Sequence, residues 1–260
     1  KVDITCSSCG SVETGFKGFG TEMIMEGFQE VFPEAKVARM DYDTTRGKTS
    51  YQTLISDFSE GKIDVLIGTQ MVTKGLDFAN VSLVGVLNAD QMLNFPDFRA
   101  FERAYQMLTQ VSGRAGRRKK RGKVIVQTYT PYHSVIRNVM DNNYNELYQS
   151  EILARKNFNY PPFYKLINVM LKHPNKSLLD ACAEGFGAAL KGELTEERVL
   201  GPEYPAISRI NKFYQKSILI KFERKVSAKQ IKEILNKWIK TYKKEKAFSS
   251  IRFNVDVDPI

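Results

Sequence analysis

Two short stretches of this chain carry residue types suited to handling phosphate. In QVSGRAGRR, residues 110–118, arginines are interleaved with glycines, so cationic side chains stand on a backbone with little bulk to obstruct a ligand. In GTQMVTKGLDF, residues 68–78, hydroxyl, amide, ammonium, glycine and carboxylate groups follow one another in a single polar turn. Nowhere in the chain is there the G-x-x-x-x-G-K-[ST] loop that usually holds a nucleotide. The residues present are those of half a nucleotide site.

Such residues must be held by regular elements, and the hydrophobic pattern predicts them. Residues 20–31, GTEMIMEGFQEV, place Met23, Ile24, Phe28 and Val31 at helical spacing before Pro33 stops the run. AKVARMD reads as a short strand, 49–58 as a helix ending at Gly61, and 64–68 and 82–87 as apolar strands. Residues 101–111 read as a helix and KVIVQT, 123–128, as a strand. Alternation of this kind predicts a parallel sheet covered on both faces. Ligands of such sheets sit at the carboxyl ends of the strands, which puts the turn 68–77 at the edge of the site.

Residues 131–157 read as mainly helical, and NYPPF, 159–163, is a break because Pro161 and Pro162 cannot continue a helix. Beyond it come a strand (165–171), a helix (177–192), a strand near 198–210, a strand (215–223), a helix (228–246) and a strand (251–257). That βαββαβ order predicts a smaller α+β domain of split, ferredoxin-like type.

At 260 residues and 42% hydrophobic, the chain can bury a sizeable core and suits two domains better than one. No apolar run reaches the roughly 18 residues of a membrane span, so a soluble protein is expected. Residues 1–5 have neither the length nor the apolar centre of a signal peptide, and the first residue is Lys rather than Met; the chain is expected to be a piece of something larger. The net charge is +10, of which residues 151–260 carry +9 and residues 1–150 only +1. Residues 212–246 hold twelve basic and three acidic side chains, and residues 114–123 form a second knot of +7. Clustered cations favour a polyanionic partner through counterion release. For 229–246 a solvated lysine-rich helix face is the other reading.

The three cysteines are Cys6, Cys9 and Cys182, an odd count with no secretory signal, which argues for a reducing compartment. CSSCGS has the spacing that lets two thiolates reach one tetrahedral zinc, but two further ligands are required. His133 and His173 lie in no ligand-like spacing. The pair is either incidental or completed by ligands upstream of Lys1. Cys182, flanked by alanines in a helical pattern, reads as a small core residue.

GTQMVTKGLDF and QVSGRAGR resemble the fifth and sixth conserved motifs of superfamily 2 helicases, which lie in the second of two RecA-like lobes. GFGTEMI, RMDYDTTRGK, LNADQMLNFPDFRAFERAYQMLTQVSGRAGR, VIVQTYTP, YPPF and the terminal DVDP narrow the resemblance. Together they are similar to the primosomal replication-restart helicase family, PriA or primosomal protein N′, over essentially the whole chain. The resemblance implies that residues 1–12 are the tail of a zinc-binding insert, 13–158 the second RecA-like lobe with a trailing helical segment, and 159–260 a C-terminal domain that binds DNA and partners. It also implies Zn2+ held by Cys6 and Cys9 with upstream ligands, and ATP with Mg2+ in the cleft between lobes. The phosphate loop and the Asp-Glu metal motif would belong to the first lobe.

By the same resemblance, Arg114 and Arg117 match positions that stabilise charge on the transferring phosphoryl group and sense closure. Gln110 would orient their loop, and Gly113, with Ala115 and Gly116, would keep the backbone open. Arg118, Lys119, Lys120 and Arg121 read better as solvated charge. The turn 68–77 would couple the nucleotide to DNA: Thr69 and Gln70 as phosphate donors, Lys74 as charge and Gly75 as a point of close approach. Asp77 would contact the nucleotide sugar or pair with an arginine, or else act as a turn cap. In the C-terminal domain Lys212, Tyr214 and Lys216 of NKFYQK are candidates for phosphate contact and base stacking. Tyr214 also reads as a plain sheet residue.

The expected function is that of a fragment of an ATP-dependent 3′ to 5′ DNA helicase that recognises stalled or branched forks and restarts replication by primosome assembly. Expected partners are forked and single-stranded DNA, the single-strand DNA-binding protein, and other primosome and helicase-loading proteins, for a monomer of the bacterial cytoplasm associated with the nucleoid and not with a membrane. Without its first lobe the fragment alone should not hydrolyse ATP. The alternative is a non-catalytic nucleic-acid-binding protein with a decayed helicase lobe. Retention of Gln110, Arg114 and Arg117 together speaks against decay.

Overall fold

A computed structural model describes residues 20–41, 44, 48–69, 81–113 and 122–259. Cys6, Cys9, Gln70, Lys74, Gly75, Asp77, Arg114 and Arg117 lie outside the described residues. The chain divides into two compact units, one formed by residues 1–90 and 104–131, the other by 91–103 and 132–260.

In the first unit the expected helices and strands occur within a residue or two of their expected positions. The helix α1 (Thr21–Val31) leads to β1 (Val37–Met40), α2 (Lys48–Ser59), β2 (Val65–Gly68) and β3 (Leu83–Val86). After a short helix α3 (Asp90–Leu93), α4 (Ala100–Ser112) is followed by β4 (Lys123–Val126). Strands β1 and β2 pair in parallel with Met40 opposite Gly68, and β3 and β4 pair in parallel with Val86 opposite Val126. The expected parallel sheet is present among the described residues as these two pairs. Met40 is fully buried, and Tyr51, Leu54, Ile55 and Phe58 of α2 close over it at i, i+3, i+4, i+7 spacing, one stripe of the helix. In α4, Ala104, Leu108 and Val111 are buried while Gln110 is exposed.

Besides residues 91–103, the second unit contains the helices α5 (Ser134–Met140) and α6 (Tyr144–Asn157), which split the expected helical stretch 131–157. Asn142, with φ of 52°, supplies the left-handed residue that ends α5. Asn143 then caps α6, its Oδ1 accepting from the Glu146 amide at 3.2 Å while its Nδ2 donates to the Glu146 carboxylate at 2.9 Å.

From β5 (Tyr164–His173) the chain runs through α7 (Lys176–Leu194), β6 (Val199–Glu203), β7 (Arg209–Ile210), β8 (Phe213–Glu223), α8 (Ala228–Lys244) and β9 (Arg252–Val257). The strands lie in the order β6-β8-β5-β9, all antiparallel, with β7 added to β8. This is the βαββαβ arrangement with its first and third strands central. Ile167, Val169 and Leu171 of β5 and Ile218, Ile220 and Phe222 of β8 alternate onto one face. Against them pack Leu179, Cys182, Phe186 and Leu190 of α7 and Ile231 and Leu235 of α8. Burial pushes the Cys182 thiol up to about 12, consistent with a core residue.

The single strand expected near 198–210 is two strands. The β6–β8 register shifts between Leu200 and Glu203, where Gly201 has φ of +95° and a Cβ there would meet the Ser217 carbonyl at 2.7 Å. Strand β7 returns to β8 through Asn211 and Lys212, both at positive φ, as a two-residue hairpin of this hand requires.

Candidate nucleotide and nucleic-acid interface

The polar residues of the first unit collect where its parallel strands end, as the strand order leads one to expect. Gly68 closes β2, and the exposed Thr69 follows it as the described start of the turn 68–77. At the end of β1, Asp41 receives the Thr21 hydroxyl at 2.7 Å and the Thr44 amide at 2.9 Å, with Arg39 Nε 3.1 Å away. The Thr21 hydroxyl, the Thr44 donors and the Arg39 charge together outweigh desolvation and hold the Asp41 carboxyl down at about 2. Arg39 also reaches Glu22 at 3.1 Å. The motifs GFGTEMI and RMDYDTTRGK are thus clasped together by side chains that spacing alone does not link. Beside them an open cleft of about 820 Å³ is lined by Glu22, Met25, Arg39, Thr44 and Thr53.

A second clasp joins the ends of β3 and β4. Asp90 accepts from the Thr128 hydroxyl at 2.9 Å, the Tyr129 amide at 3.0 Å and the Thr130 hydroxyl at 3.1 Å. Desolvation pushes the Asp90 carboxyl up, but these three donors outweigh it and leave it below its ordinary value. Asp90 is therefore a structural tie between NADQ and VIVQTYTP.

Gln110 and Gly113 are exposed at the carboxyl end of α4, opposite buried Leu108 and Val111. The Gly113 amide donates to Thr109 at 3.0 Å and the Ser112 hydroxyl to the Leu108 carbonyl at 2.7 Å, so the helix is hydrogen-bonded up to the point where residues 114–117 begin. Thr69, Gln110 and Gly113 offer exposed polar or unobstructed positions compatible with the edge of a nucleotide site. Among the described residues no group of three or more His, Cys, Asp or Glu could hold a metal ion, and no helix is long and apolar enough to cross a membrane.

In the second unit the three candidates separate. Lys212 is exposed at the tip of the β7–β8 hairpin. Tyr214 and Lys216 alternate onto the helix-covered side of β8. Tyr214 packs on the core beneath the Arg209 guanidinium, 4.8 Å from its ring centre. Lys216, with a side chain only 9% exposed, donates to Glu184 at 2.8 Å and lies 3.2 Å from Asp180. Desolvation alone would lower its ammonium, but Glu184 and Asp180 outweigh it and raise it. The expectation of Lys216 as a phosphate contact is corrected accordingly: its charge is already compensated by two carboxylates in a site shielded from water. Phe213, Gln215 and Ser217 of this strand alternate to the opposite face, and Arg252 of β9 lies over the Phe213 ring at 4.5 Å. The pairing of these two needs the strand register, which no local pattern reveals.

The helicase conserved C-terminal domain family matches residues 9–119, and the primosomal protein N C-terminal domain family matches residues 156–260. The replication restart protein PriA of Bacillus subtilis is 42% identical over 256 residues, which covers 98% of this chain and 31% of that protein. The PriA proteins of Synechocystis and Haemophilus influenzae are 38% and 33% identical over 260 residues, covering 98% of this chain and 30% and 34% of theirs. The chain spans about a third of the length of the curated relatives it matches. With a helicase C-terminal lobe, an antiparallel α+β domain and this similarity along nearly its whole length, the chain belongs to the PriA family of replication restart proteins.

Proposed function

We propose that the chain supplies the second helicase lobe and the C-terminal domain of an ATP-driven 3′ to 5′ DNA helicase that acts at stalled or branched forks and restarts replication by primosome assembly. The observation that carries this reading is α4, which presents Gln110 and Gly113 at its exposed carboxyl end immediately before Arg114 and Arg117. A nucleotide held by a facing lobe would meet these arginines, whose charge would stabilise the phosphoryl group in transfer. Gln110 would orient the loop, and Gly75, Asp77 and Gly113 would border the nucleotide. Thr69, Gln70 and Lys74 would report its state to the DNA backbone.

Residues 1–12 are read as the end of a zinc-binding insert, 13–158 as the lobe with its trailing helices, and 159–260 as the DNA- and partner-binding domain. Zinc would be held by Cys6 and Cys9 with ligands of the longer protein. The single-strand DNA-binding protein and helicase-loading proteins would be the partners, for a monomer in the bacterial cytoplasm beside the nucleoid.

The test is DNA-stimulated ATP hydrolysis by the intact protein set beside the 260-residue chain. Turnover is expected from the first and none from the second, which has no phosphate loop. Turnover by the purified chain that rises with DNA would refute the assignment of roles, and an inactive intact protein would return the decayed-lobe alternative. Elemental analysis should find stoichiometric zinc in the intact protein; its absence would refute the role of Cys6 and Cys9.

A further inference from the structure

Helices α7 and α8 both pack on one face of the β6-β8-β5-β9 sheet, and the opposite face is free of helices at one end. Alternation from the register puts Phe213, Gln215 and Ser217 of β8, Met170 and Lys172 of β5, and Arg252 of β9 on that opposite face. Gln215, Lys172 and Arg252 occupy one rung, Gln215 buried at 4% exposure and Lys172 half-buried, with the half-buried Phe213 at the start of β8 just beyond it. The Arg252 guanidinium lies 4.5 Å from the centre of the Phe213 ring, and Ile210, paired with Phe213, is 48% exposed beside it. Arg252 is exposed, and among the described residues neither it nor Lys172 has an ion-pair partner. Lys212 at the adjoining hairpin tip adds a third cation.

The other end of this face is closed. Lys221 donates to the Phe158 carbonyl at 2.9 Å and lies 3.5 Å from the Tyr160 ring centre, and Leu166 is only 2% exposed. Asp256 lies toward that closed end, four residues along β9 from Arg252. The open end is therefore a bounded floor of one aromatic ring, one stacked guanidinium, an exposed aliphatic side chain and uncompensated cations. A planar guanidinium lying on a ring offers its outer face to another planar group. Flat rings attached to a run of negative charges are the chemistry that such a floor complements, and unpaired nucleotides have it.

We infer that the Phe213–Arg252 end of the helix-free sheet face is a stacking platform for the unpaired bases of single-stranded DNA. Bases stack on Phe213 and Arg252, and Lys172 and Lys212 take the flanking phosphates. Other four-stranded sheets of this connectivity stack two or three unpaired bases on aromatics of their central strands, and β8 is central here. The inference rests on reading residues 159–260 as a DNA-binding domain and names the surface that does it. Duplex DNA keeps its bases stacked and lends only phosphates to such a floor.

The experiment measures anisotropy of a labelled twenty-residue oligothymidylate with the 260-residue chain across a salt series. Phe213→Ala is expected to weaken binding by about tenfold, the loss of one stacked base, with the slope of log affinity against log salt unchanged. Arg252→Ala should weaken binding and flatten that slope by about 0.7. Phe213→Trp, which keeps a stacking ring, should bind at least as well as the parent. Paired substitution of Lys229 and Lys240 on α8 should leave both affinity and the Phe213 effect in place. Wild-type affinity in a folded Phe213→Ala chain would overturn the inference, as would loss of binding on the α8 substitution with none at Phe213 or Arg252. An intact protein with no DNA-stimulated ATPase would refute the helicase reading, while the oligothymidylate result alone decides the platform.

Discussion

The two units place their stability and their chemistry differently. The second closes a sheet and two helices over Phe186, Leu190, Ile218, Ile220 and Phe222, all at or below 1% exposure. The described part of the first has two pairs of four-residue strands and a small core at Met40 under α2, and fastens the strand ends with Asp41 and Asp90. Where apolar packing dominates, the polar surface can vary without loss of the fold. Where carboxylates tie strand ends together, polar residues beside the candidate site also hold the structure. Among the described candidates, Thr69, Gln110 and Gly113 belong to the first unit, and Lys212, Tyr214 and Lys216 to the second.

The largest effect that would test this contrast is chemical. In the intact protein Arg117→Ala should lower ATP turnover by on the order of a thousandfold, as loss of an arginine finger does, with DNA affinity at fixed salt nearly unchanged. If DNA binding falls and turnover survives, residues 110–118 form a DNA clamp instead. Next in size, Phe186→Ala should cost about 3–5 kcal/mol, since it empties a fully buried site between α7 and the sheet. Thermal unfolding should resolve this as a shift of one transition, with residues of the first unit unfolding as before. A common shift of both transitions would erase the distinction between the units.

Asp41→Asn sharpens the comparison from the other side. It should destabilise the first unit by about 1–2 kcal/mol by weakening the clasp on Thr21, Thr44 and Arg39. Because the folded carboxyl titrates at about 2, below its ordinary 3.8, its contribution is complete above the ordinary value and is lost as pH falls toward about 2. Acid titration of wild type and variant should therefore show two stability curves that converge in that interval; curves that stay parallel would remove Asp41 from the clasp. The smallest effect separates two lysines. Lys212→Ala should flatten the salt slope for oligothymidylate by up to about 0.7, whereas Lys216→Ala should leave the slope unaltered and lower stability.

The regular elements were legible because each follows from a local period. The apolar spacing in 20–31 and 49–58, the alternation in 215–223 and the prolines at 161 and 162 needed no knowledge of distant residues. The gap at 204–208 carries its own local signal in Pro205, but the register shift within β6 was not legible, because it depends on how Gly201 meets Ser217 across the sheet. The same limit governs the sites. Arginines spaced by glycine stand out in any linear reading, but Thr21 with Asp41, and Phe213 with Arg252, are pairs made by topology. NKFYQK looks like one cationic and aromatic patch until strand alternation turns Phe213 to one face and Tyr214 with Lys216 to the other.

The caged ammonium of Lys216 also bears on how the protein first encounters DNA. A charge inventory weighs every lysine alike, but a distant polyanion responds to the field outside the protein, where a lysine held by Asp180 and Glu184 is cancelled by its own cage. The long-range attraction of residues 212–246 is therefore weaker than their composition suggests. It also has a direction, because among the described residues Lys212 at the hairpin tip and Arg252 on the helix-free face have no ion-pair partner, whereas Lys237 of α8 is held by Glu193. A strand drifting past would be turned toward that side before any contact forms, so the burial of one lysine helps to set the orientation of approach.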